Sequence, residues 1–261
     1  MGELIQDIKP TVVSSAYVDG LAFDKAKEQM EKAGYRLITA EENVGLRVQH
    51  GKDAKVSTWG NYVKEGSLMV PQKGRFITRS SLVLAFPKKA TQAHREGKEF
   101  YITPEQAEIL ISDSVKVPYD VKSIPTNRFG EEPVTVFLFG KNAERYGLFL
   151  RETANIMNMP LSFNEQSYID SKDKPFVNQA WLASLGYGSI VYGNSRGLSS
   201  SSSVRGVRFD AEGVAPQKPL QIVYTLDQIS QAFKVAGIPR LESMVTEVLV
   251  SAPSQINNSK K

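Results

Sequence analysis

Chemistry that needs a thiol or an imidazole has little to draw on in this chain, which holds no cysteine and two histidines, His50 and His94. Without cysteine there are no disulfides, thiolate metal sites or thiol nucleophiles. Two histidines leave little material for a zinc site or a histidine-based triad. Gly186-Tyr-Gly-Ser189-Ile190 shares letters with the nucleophile elbow G-x-S-x-G but lacks the strand-to-helix turn that exposes the serine there. Asp170-Ser-Lys172 copies the end of a nuclease motif inside a polar loop, YIDSKDKP, where such residues are ordinarily just solvated. Phe137 to Ala143, FLFGKNA, puts one glycine before a helix, and helix N-termini bind anions. It lacks both the dinucleotide fingerprint and the GK[ST] ending, so a structural turn is the better reading. Acidic residues are scattered, with no pair placed for glycoside hydrolysis.

The informative stretch runs from Phe176 to Phe209, FVNQAWLASLGYGSIVYGNSRGLSSSSSVRGVRF. Large, chemically committed residues punctuate it: Phe176, Gln179, Trp181, Leu185, Arg196, Leu198, Val204, Arg205 and Val207. Between them sit Asn178, Ala183, Ser184, Gly186, Tyr187, Gly188, Ile190, Tyr192, Ser195, Gly197 and the run Ser199, Ser200, Ser201, Ser202, Ser203, in no pattern that a helix or strand demands. From Leu182 to Ala211 there is no Lys, Glu, Gln, Met or Trp. Those are the amino acids out of reach when only the first two bases of an AAC or AAT codon vary. By composition the serine run reads as a linker. It lies between two firm anchors, where a linker would interrupt the domain.

Charge raises a second possibility. Val44 to Lys98 carries eleven Lys or Arg against Asp53, Glu65 and Glu96, with Trp59, Tyr62, Phe76 and Phe86 interleaved, although the whole chain is only +4. That is the composition of a nucleic-acid surface. A solvated hairpin with core aromatics is the better reading, since net charge alone speaks of steering and solubility. At 261 residues the chain can bury a real core. No apolar run is long enough to span a membrane, and MGELIQDIKP has no basic start followed by an apolar stretch, so no secretory signal is expected. Composition does not fix localisation.

The elements follow from periodicity and caps. Ala22 to Ala33 predicts a helix with Phe23, Ala26, Met30 and Ala33 on one face, closed by Gly34. Tyr35 to Ile38 predicts a strand. Thr39-Ala-Glu-Glu42 has capping-box spacing for a helix ending at Gly51, and Thr103-Pro-Glu-Gln106 for one reaching Ile111. Ser67 to Thr78 predicts a hairpin turning at PQKG, and Leu82 to Phe86 and Phe100 to Ile102 predict short strands. The apolar run Val134 to Phe139 predicts the strongest strand, turned by Gly140 into a helix over about 142–157. Leu220 to Tyr224 predicts a last strand, Thr225-Leu-Asp-Gln228 a capped helix to Gly237, and Ser251 to Lys261 a disordered polar tail.

The framework Phe176, Gln179, Trp181, Leu182, Leu185, Ser189, Val191, Gly193, Asn194, Arg196, Leu198 and Val204-Arg-Gly-Val207 resembles the variable region of the variable proteins of diversity-generating retroelements, in the archaeal branch. In that family an error-prone reverse transcriptase misreads template adenines, so AAC and AAT codons become hypervariable. The resemblance implies an α+β, C-type-lectin-like fold of the formylglycine-generating-enzyme-like subgroup, a small twisted antiparallel sheet with flanking helices. It would cover residues 1–224, with the variable region at about 176–209 and a C-terminal extension over 225–261 that the family pattern does not explain. Trp181 and the leucines would be buried, and Arg196 and Arg205 would hold loop carbonyls or carboxylates. The interspersed small residues would form an exposed surface for an unknown macromolecular ligand, protein or glycan, as in antibody loops. Enzyme activity does not carry over without cysteine. Glu132-Pro133 is followed by Val134, which has no oxygen ligand for calcium, so neither metal nor cofactor is expected. Nucleic-acid binding through residues 44–98 is the alternative.

Overall fold

A computed structural model of the protein describes residues 2, 4–8, 13–163, 174–193, 197–199 and 203–209. These belong to the first of two compact units, residues 1–212, the second being residues 213–261. The strand expected at 220–224, the helix from 225 and the polar tail lie outside the described residues.

The chain opens on an antiparallel pair, β1 (Leu4–Ile8) and β2 (Val13–Val18). Helix α1 (Phe23–Lys32) buries Phe23, Ala26 and Met30, and Gly34 follows it in the left-handed conformation at φ 78°. After β3 (Arg36–Leu37), α2 (Ala40–His50) starts on the expected capping box. The Glu42 N–H donates to Thr39 Oγ1 at 3.1 Å, and the Thr39 N–H donates to the Glu42 carboxylate at 3.0 Å. The short α3 (Lys55–Thr58) leads to the hairpin of β4 (Asn61–Val70) and β5 (Gly74–Thr78). Then come α4 (Pro87–Arg95), β6 (Phe100–Tyr101), α5 (Pro104–Ile111, again box-capped), β7 (Ser114–Val117) and β8 (Ser123–Pro125). Helices α6 (Pro133–Phe139) and α7 (Ala143–Glu152) precede β9 (Asn158–Phe163), β10 (Phe176–Leu182), β11 (Val191–Gly193) and β12 (Val204–Phe209).

Two expected strands are absent. Val134–Phe139 is helix α6, because Pro133 occupies its first turn, where a missing N–H costs nothing. The run buries Val134, Thr135, Leu138 and Phe139 and leaves Val136 at 41% exposure, a helical pattern that an unbroken apolar run conceals. Leu82–Leu84 is a single 3-10 turn that feeds α4.

Twelve strands join in one sheet along the path β1-β2-β12-β4-β10-β11-β9-β8, with β3 on β12, β6 on β10, and β5 then β7 beyond β4. The sheet is larger than expected and mixed, since β9–β11 and β4–β12 pair in parallel. Alternation along its central strands feeds two cores. Val63, Leu182 and Val207 pack with Val44 of α2, Leu138 of α6 and Leu150 of α7. Tyr62, Val177 and Val204 pack with Met30 of α1, Ala90 of α4 and Ala107 of α5. With apolar layers on both sides, β4 and β10 are buried almost throughout. Among the described residues no helix is long and apolar enough to cross a membrane.

Candidate functional site

The site is built on β10, the tight turn after it, β11, and the return into β12. β10 lies between β4 and β11, with Trp181 opposite Tyr62 on one side and Tyr192 on the other. Its ladder with β4 shifts between Gln179 and Trp181, which strands carbonyls on β4. Gln179 is fully buried, and its amide Nε2 donates to the carbonyls of Val63 and, at 3.0 Å, Glu65. A side chain thus fills the gap in the ladder, which explains why the position needs a glutamine.

The chain then reverses within residues 183–190. The Tyr187 and Ser189 N–H groups both donate to the Ser184 carbonyl at 3.1 Å, Gly188 N–H to Leu185 at 2.9 Å, and Ala183 N–H to Ile190 at 2.9 Å. Gly188 and Ser189 are both left-handed, with φ 74° and 55°. The turn is held by its backbone. Its tip, Gly186 and Tyr187, projects into solvent, with Tyr187 74% exposed.

Beneath this turn lies Arg47, a wholly buried guanidinium on α2. It donates to the carbonyls of Val56 (3.0 Å) and Leu182 (3.3 Å), to Tyr146 Oη (3.0 Å) and to Ser189 Oγ (3.3 Å), and the two hydroxyls bond each other at 2.6 Å. Planar multi-donor geometry suits Arg to holding several acceptors at once. The sequence signal for it is an arginine three residues after Val44 on the apolar side of α2.

Arg205 closes the other end. Its guanidinium, 1% exposed, grips both Asp7 oxygens at 2.8 Å, Ser15 Oγ at 2.9 Å and Asn61 Oδ1 at 3.0 Å. The turn at 197–199 docks through Leu198, whose carbonyl accepts from Phe23 N–H at 2.9 Å, and through Ser199 Oγ, 2.7 Å from His94 Nδ1. Burial lowers the His94 pKa, opposed by the charge of Glu99.

Of the expected anchors, Phe176, Gln179, Leu198, Val204, Arg205 and Val207 are buried. Trp181 and Leu185 are only half-buried. Trp181 packs on Tyr192, ring centroids 5.4 Å apart, and on the bare backbone of Gly60, where a Cβ would collide with the indole. Arg196 lies outside the described residues. Of the positions expected to be exposed, Gly186 and Tyr187 are, and Gly188, Ile190, Tyr192, Gly197 and Ser199 are partly so. Ser195, Ser200, Ser201 and Ser202 lie outside the described residues. Asn178, Ala183, Ser184 and Ser203 are corrections, since all four are buried. Asn178 sits mid-strand, its Nδ2 donating to the Gly193 carbonyl at 3.3 Å and its own carbonyl accepting from Ser81 Oγ at 3.2 Å. Ala183 and Ser184 form the closed base of the turn, and the Ser203 carbonyl receives Tyr62 N–H at 3.3 Å.

Part of the basic segment is interior. Arg47 and Arg75 are buried, the latter donating to the carbonyls of Val117, Pro118 and Val121. Tyr62 and Phe76 are core residues, and Lys73 pairs with Glu108. Among the described residues no three His, Cys, Asp or Glu are grouped to hold a metal ion.

This architecture is the C-type lectin fold. The assignment rests on a solved structure described as "Accommodation of massive sequence variation in Nanoarchaeota by the C-type lectin fold", which matches with a TM-score of 0.56. The match spans 76% of this chain and 97% of that one at 16% sequence identity, so the two share a fold. No protein-family model and no curated protein matches the sequence.

Proposed function

We propose that this is a hypervariable ligand-binding protein, diversified by adenine-directed mutagenesis within a retroelement, and that it is not an enzyme. The observation that carries the reading is the division of labour in 176–207. Residues outside the reach of AAC-codon change, such as Gln179, hold buried structure, while Gly186 and Tyr187 face solvent at the tip of a turn held by backbone bonds, with Gly188 and, on β11, Tyr192 partly exposed beside it. A protein that must tolerate change needs its loops fixed by something other than the changing side chains. The solved neighbour is itself described in terms of massive sequence variation within this fold, which supports the reading. Under it, the chain belongs to the archaeal branch and to the formylglycine-generating-enzyme-like subgroup of the fold, and its partner is a macromolecule at the 186–192 surface.

The genome tests this directly. A near-copy of the codons for 176–207, with AAC or AAT at the proposed variable positions and a reverse-transcriptase gene alongside, is the expected finding. A locus without such a copy in any strain that carries the gene would overturn it.

A further inference from the structure

We propose that Lys55 and Trp59, outside the diversified segment, form a constant half of the ligand surface, and that this half takes a carboxylate-bearing, apolar patch of a partner protein. The inference rests on the display reading above and names what that display would bind. Helix α3, which carries Lys55, packs against the turn 185–187. Trp59 ends that helix and stays half-exposed. The next residue, Gly60, is the one on which the Trp181 indole lies, and Trp181 in turn carries Tyr192. The fixed segment 55–60 therefore borders the diversified positions on two sides.

Its chemistry is specific. Trp59 is braced by Tyr17, ring centroids 5.4 Å apart, and the Lys55 ammonium stands 4.6 Å from the ring centroid. Among the described residues Lys55 has no carboxylate within ion-pair distance. A rigid tryptophan loses little entropy on contact, and Trp and Tyr dominate the energy of protein interfaces. A cation held beside that ring favours an incoming carboxylate and disfavours a basic partner. Residues 183–193 contain no charged side chain, so Lys55 supplies a charge that AAC-derived diversity has left out of this variant. A nucleic acid needs a track of several exposed cations. Burial of Arg47 and Arg75 removes two of those the basic segment offered.

The test uses the full chain, with Gly186, Tyr187, Gly188, Ile190 and Tyr192 randomised through NNC and NNT codons. The library is displayed and panned against acidic ovalbumin, basic lysozyme and single-stranded DNA. Selected binders are then remade with Trp59→Ala, Trp59→Phe, Lys55→Gln and Lys55→Glu, each checked by thermal melt. Binders should come mainly from ovalbumin, and Trp59→Ala or Lys55→Glu should weaken them about tenfold or more, with Trp59→Phe keeping most of the affinity. If Trp59→Ala does not fold, the two Lys55 variants and Trp59→Phe decide. Binders indifferent to both positions would overturn this proposal and leave the display reading standing. A library without binders to either protein would sink both. Selection of DNA binders with steep salt dependence would transfer the segment to nucleic-acid recognition.

Discussion

Two buried side chains set how this molecule responds to single changes. Arg47 serves acceptors from two helices, α3 and α7, from the end of β10 and from the turn after it. Arg47→Met keeps the volume but leaves the Val56 and Leu182 carbonyls without that donor. At about 1–3 kcal/mol for each unmet buried acceptor, the loss should be roughly 2–6 kcal/mol in urea unfolding. Tyr187→Ala, at the exposed tip, should change stability by about 0.5 kcal/mol or less. Equal losses would refute the view that Arg47 beneath the turn matters more to the fold than the tip does. Glu65 gives a second handle. Burial, opposed by hydrogen bonds from its own backbone N–H and from Ala40, raises its pKa from 4.5 to about 7. The folded state thus favours the protonated carboxyl. The stabilisation this gives is fully present below pH 4.5 and is lost as pH rises through about 7. Glu65→Gln should flatten that part of the profile. The gap between wild-type and variant urea midpoints should shift in the variant's favour from about pH 4 to about pH 8. A constant gap would mean that Glu65 stays ionised or is hydrated.

At the scale of elements, legibility followed the local signals. The capping boxes at Thr39 and Thr103 and the Gly34 stop are backbone chemistry written in adjacent residues, and the helices they announce are where expected. The run 134–139 failed as a strand because five apolar residues and one threonine fit either period, and Pro133 was the deciding residue. β9 was passed over because NMPLSF has no β-branched residue and a central proline. The candidate site was legible as a framework but not as a surface. Small residues look alike in sequence whether they tip a turn, as Gly186 does, or fill a crowded strand, as Asn178 does. Arg47, Trp59, Gly60 and His94 lie outside the patterned segment and carried no mark of a shared location. The contact of Gly60 with Trp181 is the joint between the start of β4 and the end of β10. Gly60→Ala should force the indole aside, costing about 1–3 kcal/mol and changing tryptophan emission. An unaltered spectrum with an unaltered melt would show that the joint is loose.

Over the described residues as a whole, the sheet is fastened by parts far apart in sequence. β12 lies between β2 and β4, so residues 204–209 are the centrepiece of a sheet whose first strands are the N-terminal ones. Arg205 adds the Asp7 clasp across 198 residues of sequence. Asp7→Ala would leave a buried guanidinium without its counterion, and about 3–5 kcal/mol should be lost in a denaturant titration. A loss below about 1 kcal/mol would mark β1 as an ornament of the edge. Such long-range pairing also predicts slow folding, since loop closure must precede the contacts that reward it. The position of β12 has one more result. It is encoded downstream of every codon in the segment 176–203. A nucleotide gained or lost while that segment is copied shifts the reading frame through Val204–Phe209 and erases the strand that joins the two ends of the sheet. Under the proposed diversification, miscopied genes would yield chains that cannot close the sheet and are open to proteolysis, so the fold would pass only in-frame versions.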